Sequence, residues 1–193
     1  ESVSIPVSEV IRQAMAIDAA GFHEIVITGI HLGSYGYDLK PKSKLSDILK
    51  SILNKTTIKR IRLSSIGIKD IDNELIDLLH DERICRHLHL PLQSGSDDIL
   101  RLMNRMYSAK NYITTIEKII KKAPGLAIGT DVIVGFPGEG EKEFSKTRQL
   151  LDNLPITYIH TFPFSLRPHT LAAKMANQTT SAVKNERVKE LKA

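Results

Sequence analysis

Apolar residues in this chain recur at two spacings, and the two spacings alternate from the first residues to the last. Repeats every three to four positions are typical of helices, whereas short β-branched runs are typical of buried strands. The helical spacing and its capping residues predict helices that begin near residues 6, 45, 72, 96, 108, 141 and 181. The strand-like runs lie at residues 24–28, 60–64, 86–92, 132–134 and 157–164.

Strands that alternate with helices favour a parallel sheet, so we predict an α/β fold. A barrel or partial barrel fits this order better than a doubly wound sheet, although the order alone is compatible with both. No break in composition separates the chain into parts, so residues 1–193 are predicted to form a single domain. The first predicted element is a helix, and we therefore expect a parallel-sheet fold that is missing its first strand.

The segment from Gly129 to Glu139 combines a strand, a glycine turn and the start of a helix. Such turns lie at the carboxyl ends of strands, where α/β proteins build their binding sites. Asp131 lies within this strand, on the same face as Ile133 and Gly135. A carboxylate on an apolar strand requires a partner, because burying it alone is costly. The pattern is equally typical of a binding site and of a tight connection with a structural Asp.

The composition is that of a globular chain, with 41% hydrophobic and 25% charged residues. No apolar run is long enough to cross a bilayer and no secretory signal opens the sequence, so we predict a cytoplasmic protein with no membrane partner. Cys85 is the only cysteine, which excludes a disulfide framework and a self-contained cysteine metal site. The net charge of +5 weakly favours a polyanionic partner, and Lys40, Lys42 and Lys44 form the densest basic cluster.

Small, polar or glycine residues follow each predicted strand, and such positions suit a polar cofactor that lies close to the backbone. The sequence contains no Walker-type lysine loop, no dinucleotide fingerprint that opens a helix and no nucleophile elbow. The commonest nucleotide-binding and hydrolase motifs are therefore excluded. The candidate positions are Thr28 and Gly29, Ser64 and Ser65, Gln93, Ser94 and Gly95, Asp131 with Gly135, and Phe164 and Ser165.

Two histidines and two arginines admit more than one interpretation. His87 and His89 alternate on a predicted strand and share a face, which suits either a metal, as in barrel hydrolases, or hydrogen bonds inside the sheet. Arg105 suits either a carboxylate ligand or a surface pair with an aspartate at position 97 or 98. Arg167 suits either anionic nucleic acid or the cap of a loop.

Four segments resemble the radical S-adenosylmethionine methylthiotransferases. Residues 87–107, 130–139 and 162–168, followed by Thr170, are similar to the signature of that family. Residues 28–36 resemble the branch that methylthiolates N6-threonylcarbamoyladenosine beside the tRNA anticodon. The resemblance implies a partial TIM-type barrel, S-adenosylmethionine and a 4Fe-4S cluster as cofactors, and tRNA as the partner, with the sulfur donor left open. It also implies that a 5′-deoxyadenosyl radical abstracts the substrate hydrogen.

The resemblance further implies roles for individual positions. Thr28 and Gly29 match the segment that receives the methionine amino group, and Arg105 matches a position that pairs with the methionine carboxylate. Gln93 and Asp131 match polar positions of the cofactor pocket. The same pocket is expected to include Ser65, Ser94 and Gly135, the last as a glycine that allows close approach.

The sequence departs from the family pattern in several places. The Cys-x-x-x-Cys-x-x-Cys motif is absent, Gly67 and Ile68 stand where Glu-Pro is usual, and His169 replaces a glycine. We therefore expect a core fragment, without the second-cluster and RNA-binding domains, that binds no cluster and catalyses no turnover. Two alternatives remain: a ribosomal-protein methylthiotransferase or other radical enzyme, and a metal-dependent barrel hydrolase that uses His87 and His89.

Overall fold

A computed structural model of the protein describes residues 3–192, which form two compact units. The first unit comprises the described residues up to His89 together with Ile119–Ala127. The second unit comprises Leu90–Lys118 and the described residues from Ile128 onward. The prediction that residues 1–193 form a single domain stays a prediction.

The predicted helices and strands follow one another along the chain in the order that the apolar pattern predicts. The elements up to the third strand are α1 Val7–Ala19, β1 Glu24–Ile27, α2 Leu45–Lys55, β2 Arg60–Leu63, α3 Asn73–Leu78 and β3 His87–His89. The elements that follow are α4 Asp97–Leu102, α5 Ala109–Lys122, β4 Ala127–Val134, α6 Glu141–Asp152, β5 Tyr158–Pro163, α7 Leu171–Lys174 and α8 Ser181–Glu190. Among the described residues, no helix is both long and apolar enough to span a bilayer.

In the first unit, β1 and β2 pair in parallel, with Ile25 opposite Ile61. The apolar residues of α2 that recur at helical spacing are buried, as their pattern predicts. The predicted cap of α3 is confirmed, because the carboxylate of Asp72 accepts a hydrogen bond of 2.8 Å from the backbone N–H of Leu75. Local sequence signals therefore account for most of this unit.

In the second unit, β4 and β5 pair in parallel, with Asp131 opposite His160 and Ile133 opposite Phe162. The backbone from Leu90 to Gln93 follows β4 on its other side, as shown by the bond of 2.8 Å from the N–H of Gln93 to the carbonyl of Asp131. Both pairings are parallel, which confirms the predicted parallel α/β class.

Three local predictions need correction. The strand predicted at 86–92 is only His87–His89, because Pro91 has no N–H and the N–H of Leu92 bonds to the Thr130 hydroxyl at 3.0 Å. Ser96 precedes α4, but its hydroxyl makes no cap bond and is buried without a hydrogen-bond partner among the described residues. The strand predicted at 132–134 extends over all of β4, because the polar residues before it are also paired with β5.

Candidate functional site

A groove of about 500 Å³ lies in the second unit, beside the carboxyl ends of β4 and β5. Its walls combine polar side chains with apolar and aromatic ones, as is typical of small-molecule sites. Two of the predicted cofactor residues, Gln93 and Asp131, line it together. The lining residues are Gln93, Asp131, Ile133, Phe162, Pro163, Phe164, Ser165, Arg167, Thr170 and Ala172.

Gln93 adopts a left-handed backbone conformation, with φ at 66°. Such a conformation is uncommon for a residue other than glycine and is often found at functional sites. Hydrogen bonds to β4 hold it in place, since its N–H bonds to Asp131 and its carbonyl accepts from the N–H of Ile133 at 2.9 Å. The backbone is thus fixed at a residue that lines the groove.

Asp131 has the partner that its position on an apolar strand requires. Its carboxylate lies 3.2 Å from Nδ1 of His160, the residue directly opposite on β5. The side chain of Asp131 is 24% exposed and that of His160 is 56% exposed. Sequence reasoning missed His160, although the alternation of side chains along the predicted fifth strand could have indicated that it shares a face with Phe162.

The glycine turn after β4 is shaped by Gly135, which has a φ of 71°. Its N–H donates a hydrogen bond of 2.8 Å to the carboxylate of Glu139. A Cβ at this position would lie 2.4 Å from Cγ of Lys184 in α8. The glycine therefore provides both the left-handed turn and the space for α8, whereas the predicted close approach of a cofactor stays a prediction.

Glu139 forms a buried ion pair with Arg187 of α8. The guanidinium donates to the carboxylate at 2.7 Å and to the Glu139 carbonyl at 3.1 Å, and the two side chains are 1% and 6% exposed. Arg187 also lies over the ring of Phe144, 5.0 Å from its centroid. Burial raises the pKa of Glu139, an effect that the Gly135 N–H and Arg187 oppose. The sequence indicated only a charged closing helix and gave no signal for this pair.

Ser94 is fully buried, and its contacts are with α6. Its hydroxyl lies 3.3 Å from the hydroxyl of Thr147, which also accepts a bond of 2.9 Å from the N–H of Gly95. A Cβ on Gly95 would lie 2.6 Å from the Thr147 Cα, so only glycine fits. These two residues fix the backbone next to Gln93, and a direct role of Ser94 in the pocket stays a prediction.

The first unit contains a separate group of predicted residues. Thr28 and Gly29 follow β1, are exposed, and line a groove of about 550 Å³ together with Ser34 and Tyr35. The Tyr35 hydroxyl donates a bond of 2.6 Å to the carbonyl of Ile5, which ties this loop to the segment before α1. Ser65 is exposed after β2.

Arg105 lies on the exposed surface after α4, and its predicted pairing is not what the structure shows. Among the described residues, the carboxylate of Asp98 pairs instead with Arg101 at 3.3 Å and with Lys146 at 3.7 Å. Asp97 accepts a bond of 2.7 Å from a backbone N–H at the start of α5. Both aspartates are engaged by nearer groups, and a role for Arg105 in carboxylate binding stays a prediction.

The two histidines of β3 share a face of the strand, as their spacing predicts. His89 is buried, whereas His87 is only partly covered. Partial burial, with the neighbouring charges of Arg62 and His89, lowers the pKa of His87 and favours its neutral form.

Comparison with known proteins gives relatives that span most of this chain. Threonylcarbamoyladenosine tRNA methylthiotransferase MtaB of Bacillus subtilis is 43% identical over 95% of this chain and 41% of its own length. MtaB of Aquifex aeolicus is 41% identical over 98% of this chain and 46% of its own length. The tRNA-2-methylthio-N(6)-dimethylallyladenosine synthase of Acetivibrio thermocellus is 38% identical over 95% of this chain and 38% of its own length. The chain thus spans about two fifths of the length of these relatives.

Solved structures with low sequence identity share the fold. Coproporphyrinogen III oxidase (HemN) from Escherichia coli matches 95% of this chain and 43% of its own, with a TM-score of 0.71 at 17% identity. Methylornithine synthase (PylB) matches 97% of this chain and 52% of its own, with a TM-score of 0.61 at 14% identity. These likenesses confirm the predicted partial TIM-type class.

The family model of the radical SAM superfamily matches residues 1–151. That stretch includes β4, the glycine turn and three of the groove residues, Gln93, Asp131 and Ile133. Since the match extends over well more than half of the sequence, the chain belongs to the radical SAM superfamily.

Proposed function

We propose that this chain is the S-adenosylmethionine-binding core of a tRNA methylthiotransferase that acts on N6-threonylcarbamoyladenosine. The observation that carries the proposal is the identity of 43% and 41% to two relatives named for that activity, each over at least 95% of this chain. Since the chain spans about two fifths of those relatives, the activity is proposed for the protein that contains this core.

The groove of the second unit fits S-adenosylmethionine. Its volume of about 500 Å³ lies in the range of small-molecule sites. The Gln93 amide can donate and accept hydrogen bonds, and the Asp131 carboxylate can accept them from hydroxyl or amino groups of the ligand. Ile133 and Phe162 provide apolar walls for the bound molecule.

S-adenosylmethionine, when bound, would supply the transferred methyl group from one molecule and, from a second molecule cleaved by one electron from a reductant that these residues do not hold, the radical that removes hydrogen from the substrate. The chain binds and orients it. We assign Gln93 and Asp131 to this binding, while His160 fixes the orientation of the Asp131 carboxylate. In the same proposal, the family pattern assigns Thr28 and Gly29 to the methionine amino group. It assigns Arg105 to the methionine carboxylate, and it assigns Ser65, Ser94 and Gly135 to cofactor binding.

A 4Fe-4S cluster, the second cofactor of this superfamily, does not fit the residues of this chain. Such a cluster requires several thiolate ligands, usually four, or three where S-adenosylmethionine completes the set. Cys85 is the only cysteine in the sequence, and it is a partly buried free thiol of the first unit. These residues therefore cannot hold a 4Fe-4S cluster by themselves.

Calorimetric titration with S-adenosylmethionine tests the groove assignment. We expect Asp131→Ala and Gln93→Ala each to weaken binding by about 1–3 kcal/mol, the cost of losing one polar partner in a partly buried site. Asp152→Ala is the matched control, because that carboxylate is exposed at the end of α6, away from the groove lining. Unchanged affinity in both test variants would remove these residues from the site.

The dimethylallyl branch is the second candidate, because a relative named for that substrate is 38% identical. Mass spectrometry of tRNA nucleosides from a strain that lacks the gene distinguishes the two candidate substrates. Loss of the methylthio group from threonylcarbamoyladenosine alone supports the first proposal, and loss from dimethylallyladenosine supports the second. If both modified nucleosides persist, the tRNA proposal fails, and a ribosomal protein becomes the leading substrate.

A further inference from the structure

Residues 153–185, from the end of α6 into α8, contain no acidic residue. The rest of the sequence contains all 22 aspartates and glutamates. The stretch carries Arg167, Lys174 and Lys184 as cations, and it lies entirely in the second unit. A surface segment that is free of carboxylates and carries fixed positive charge attracts polyanions. Residues 164–174 of this stretch, several of which line the groove, are called the rim turn below.

The rim turn is held in one conformation by bonds between side chains and backbone. The hydroxyl of Thr170 donates a hydrogen bond of 2.8 Å to the carbonyl of Arg167, and it caps α7 by accepting a bond of 3.3 Å from a backbone N–H. Pro168 restricts the backbone of Arg167, the residue before it. At the start of the turn, the Lys184 amine donates a bond of 3.0 Å to the carbonyl of Phe164. The backbone that carries the Arg167 side chain is therefore fixed.

The guanidinium of Arg167 has no protein partner among the described residues. Of the ten arginines in the sequence, eight donate hydrogen bonds to a carboxylate or a carbonyl oxygen, and the exceptions are Arg105 and Arg167. The proposed function assigns Arg105 to the methionine carboxylate, whereas it gives no role to Arg167. Arg167 is exposed and lines the groove. A guanidinium on a fixed backbone, with no acceptor from the protein, suits an anionic group of a ligand.

The surroundings of Arg167 extend beyond the groove and favour RNA as the partner. Leu166 and Leu171 of the rim turn are 53% and 81% exposed, and Lys174 is exposed at the end of α7. S-adenosylmethionine offers a single carboxylate, whereas RNA offers a phosphate at each nucleotide along its strand. Cations that continue past the groove, with no acidic residue between them, match an extended polyanion better than a small molecule.

We propose that the rim turn contacts the backbone of the RNA substrate and that Arg167 binds one of its phosphates. This inference rests on the proposed function, which supplies RNA as the substrate. A planar guanidinium can donate two parallel hydrogen bonds to the oxygens of one phosphate. A phosphate bound at the edge of the groove would position the neighbouring nucleotide beside the cofactor without reading its base, because phosphate contacts position a nucleic acid and base contacts specify its sequence.

The salt dependence of RNA binding tests the role of the Arg167 charge. The 193-residue chain is titrated with an anticodon stem–loop RNA by fluorescence anisotropy at several salt concentrations. We expect Arg167→Gln to reduce the slope of log affinity against log salt concentration by about 1, the effect of losing one phosphate contact. Arg101→Gln is the matched control, because it removes the same charge from the same unit but that arginine already pairs with Asp98. We expect it to leave the slope unchanged.

Neutral linkages in the RNA locate the phosphate. A methylphosphonate replaces one phosphate of the loop at a time, and each RNA is titrated against the parent chain, Arg167→Gln and Arg167→Lys. We expect one linkage at which the neutral group weakens binding of the parent chain as much as Arg167→Gln does, with no further loss when the two changes are combined. Arg167→Lys keeps the charge but loses the two parallel bonds, so its affinity should lie between those of the parent chain and Arg167→Gln.

The possible outcomes separate this inference from the proposed function. No RNA binding by the parent chain, an equal reduction of the slope by Arg101→Gln, or additive losses at every linkage would overturn the inference. If Arg167→Gln weakens only the calorimetric affinity for S-adenosylmethionine, the guanidinium belongs to the methionine carboxylate, which overturns the inference and leaves the proposed function intact. RNA binding that depends on Arg167 in a chain that fails to bind S-adenosylmethionine would uphold the rim turn and contradict the proposed function.

Discussion

Replacing Arg187 by methionine tests how the glycine turn beside the groove is held. The guanidinium donates to both the carboxylate and the carbonyl of Glu139, and that carboxylate in turn accepts from the Gly135 N–H. Methionine retains much of the volume against Phe144 but removes the charge. The variant therefore leaves a buried carboxylate without its cation.

The expected loss of stability in Arg187→Met follows from the burial of the ion pair. Breaking a buried ion pair by removing one partner costs about 3–5 kcal/mol, because the remaining charge is left uncompensated. The Glu139 side chain is 1% exposed but keeps the Gly135 N–H as a donor, so we expect a loss near the lower value, about 3 kcal/mol. With a denaturant dependence of about 2 kcal/mol per molar urea, the unfolding midpoint falls by about 1.5 M.

Urea unfolding followed by circular dichroism measures this loss. Arg148→Met is the matched control, because Arg148 pairs with Glu190 on the surface, where an ion pair contributes at most about 1 kcal/mol. The double variant Glu139→Gln with Arg187→Met removes both charges, and we expect it to recover most of the lost stability. A loss no larger than that of Arg148→Met would refute the reasoning that the buried pair holds the turn.

The same variant has an expected pH dependence. Burial raises the pKa of Glu139 in the folded state, so the folded protein binds this proton more tightly than the unfolded chain does. Loss of Arg187 removes an opposing charge and raises that pKa further. As the pH falls through the folded-state pKa, protonation neutralises the buried carboxylate, and the stability difference between the variant and the parent chain should narrow. A difference that is constant with pH would contradict this explanation.

Two further predictions concern the turn and the basic loop. Gly135→Ala should lower the unfolding midpoint more than Gly125→Ala does. Both glycines have positive φ, but only a Cβ at Gly135 meets another side chain. Equal decreases in the midpoint would exclude this steric effect. Lys40→Gln with Lys42→Gln should reduce the salt dependence of tRNA binding without changing the modified nucleoside. Lys44→Gln should leave the salt dependence of tRNA binding unchanged, since Lys44 already pairs with acidic residues of the first unit. A reduction by Lys44→Gln as large as that of the double variant would contradict this distinction.

Local signals in the sequence were sufficient for the order of elements and for part of the groove. Strand β4 is predictable because its β-branched run and the glycines after it specify conformation within a few residues. Gln93 and Asp131 could be placed in one pocket because the carboxyl ends of neighbouring parallel strands meet. The left-handed conformation of Gln93 was not predictable, since it is imposed by its bonds to β4.

The partners of the two carboxylates were not predictable for a different reason. His160 lies 29 positions from Asp131, and Arg187 lies 48 positions from Glu139. The first pairing depends on the register of β5 against β4, and the second on how α8 packs, and neither is determined by residues nearby in the sequence. Tertiary packing therefore supplies the contacts that complete the site around the predicted strand and the glycine turn.

The two carboxylates, Glu139 and Asp131, lie in different environments. Glu139 is almost completely buried and is bound to a permanently charged guanidinium, so it has no access to a ligand and shapes the turn. Asp131 is 24% exposed in the groove, and its partner is an imidazole, which carries no fixed charge. Its carboxylate thus keeps the capacity to accept hydrogen bonds from a ligand. Asp131 lies in β4 and Glu139 in the turn after it, and their burial and partners support a structural role for Glu139 and the proposed binding role for Asp131.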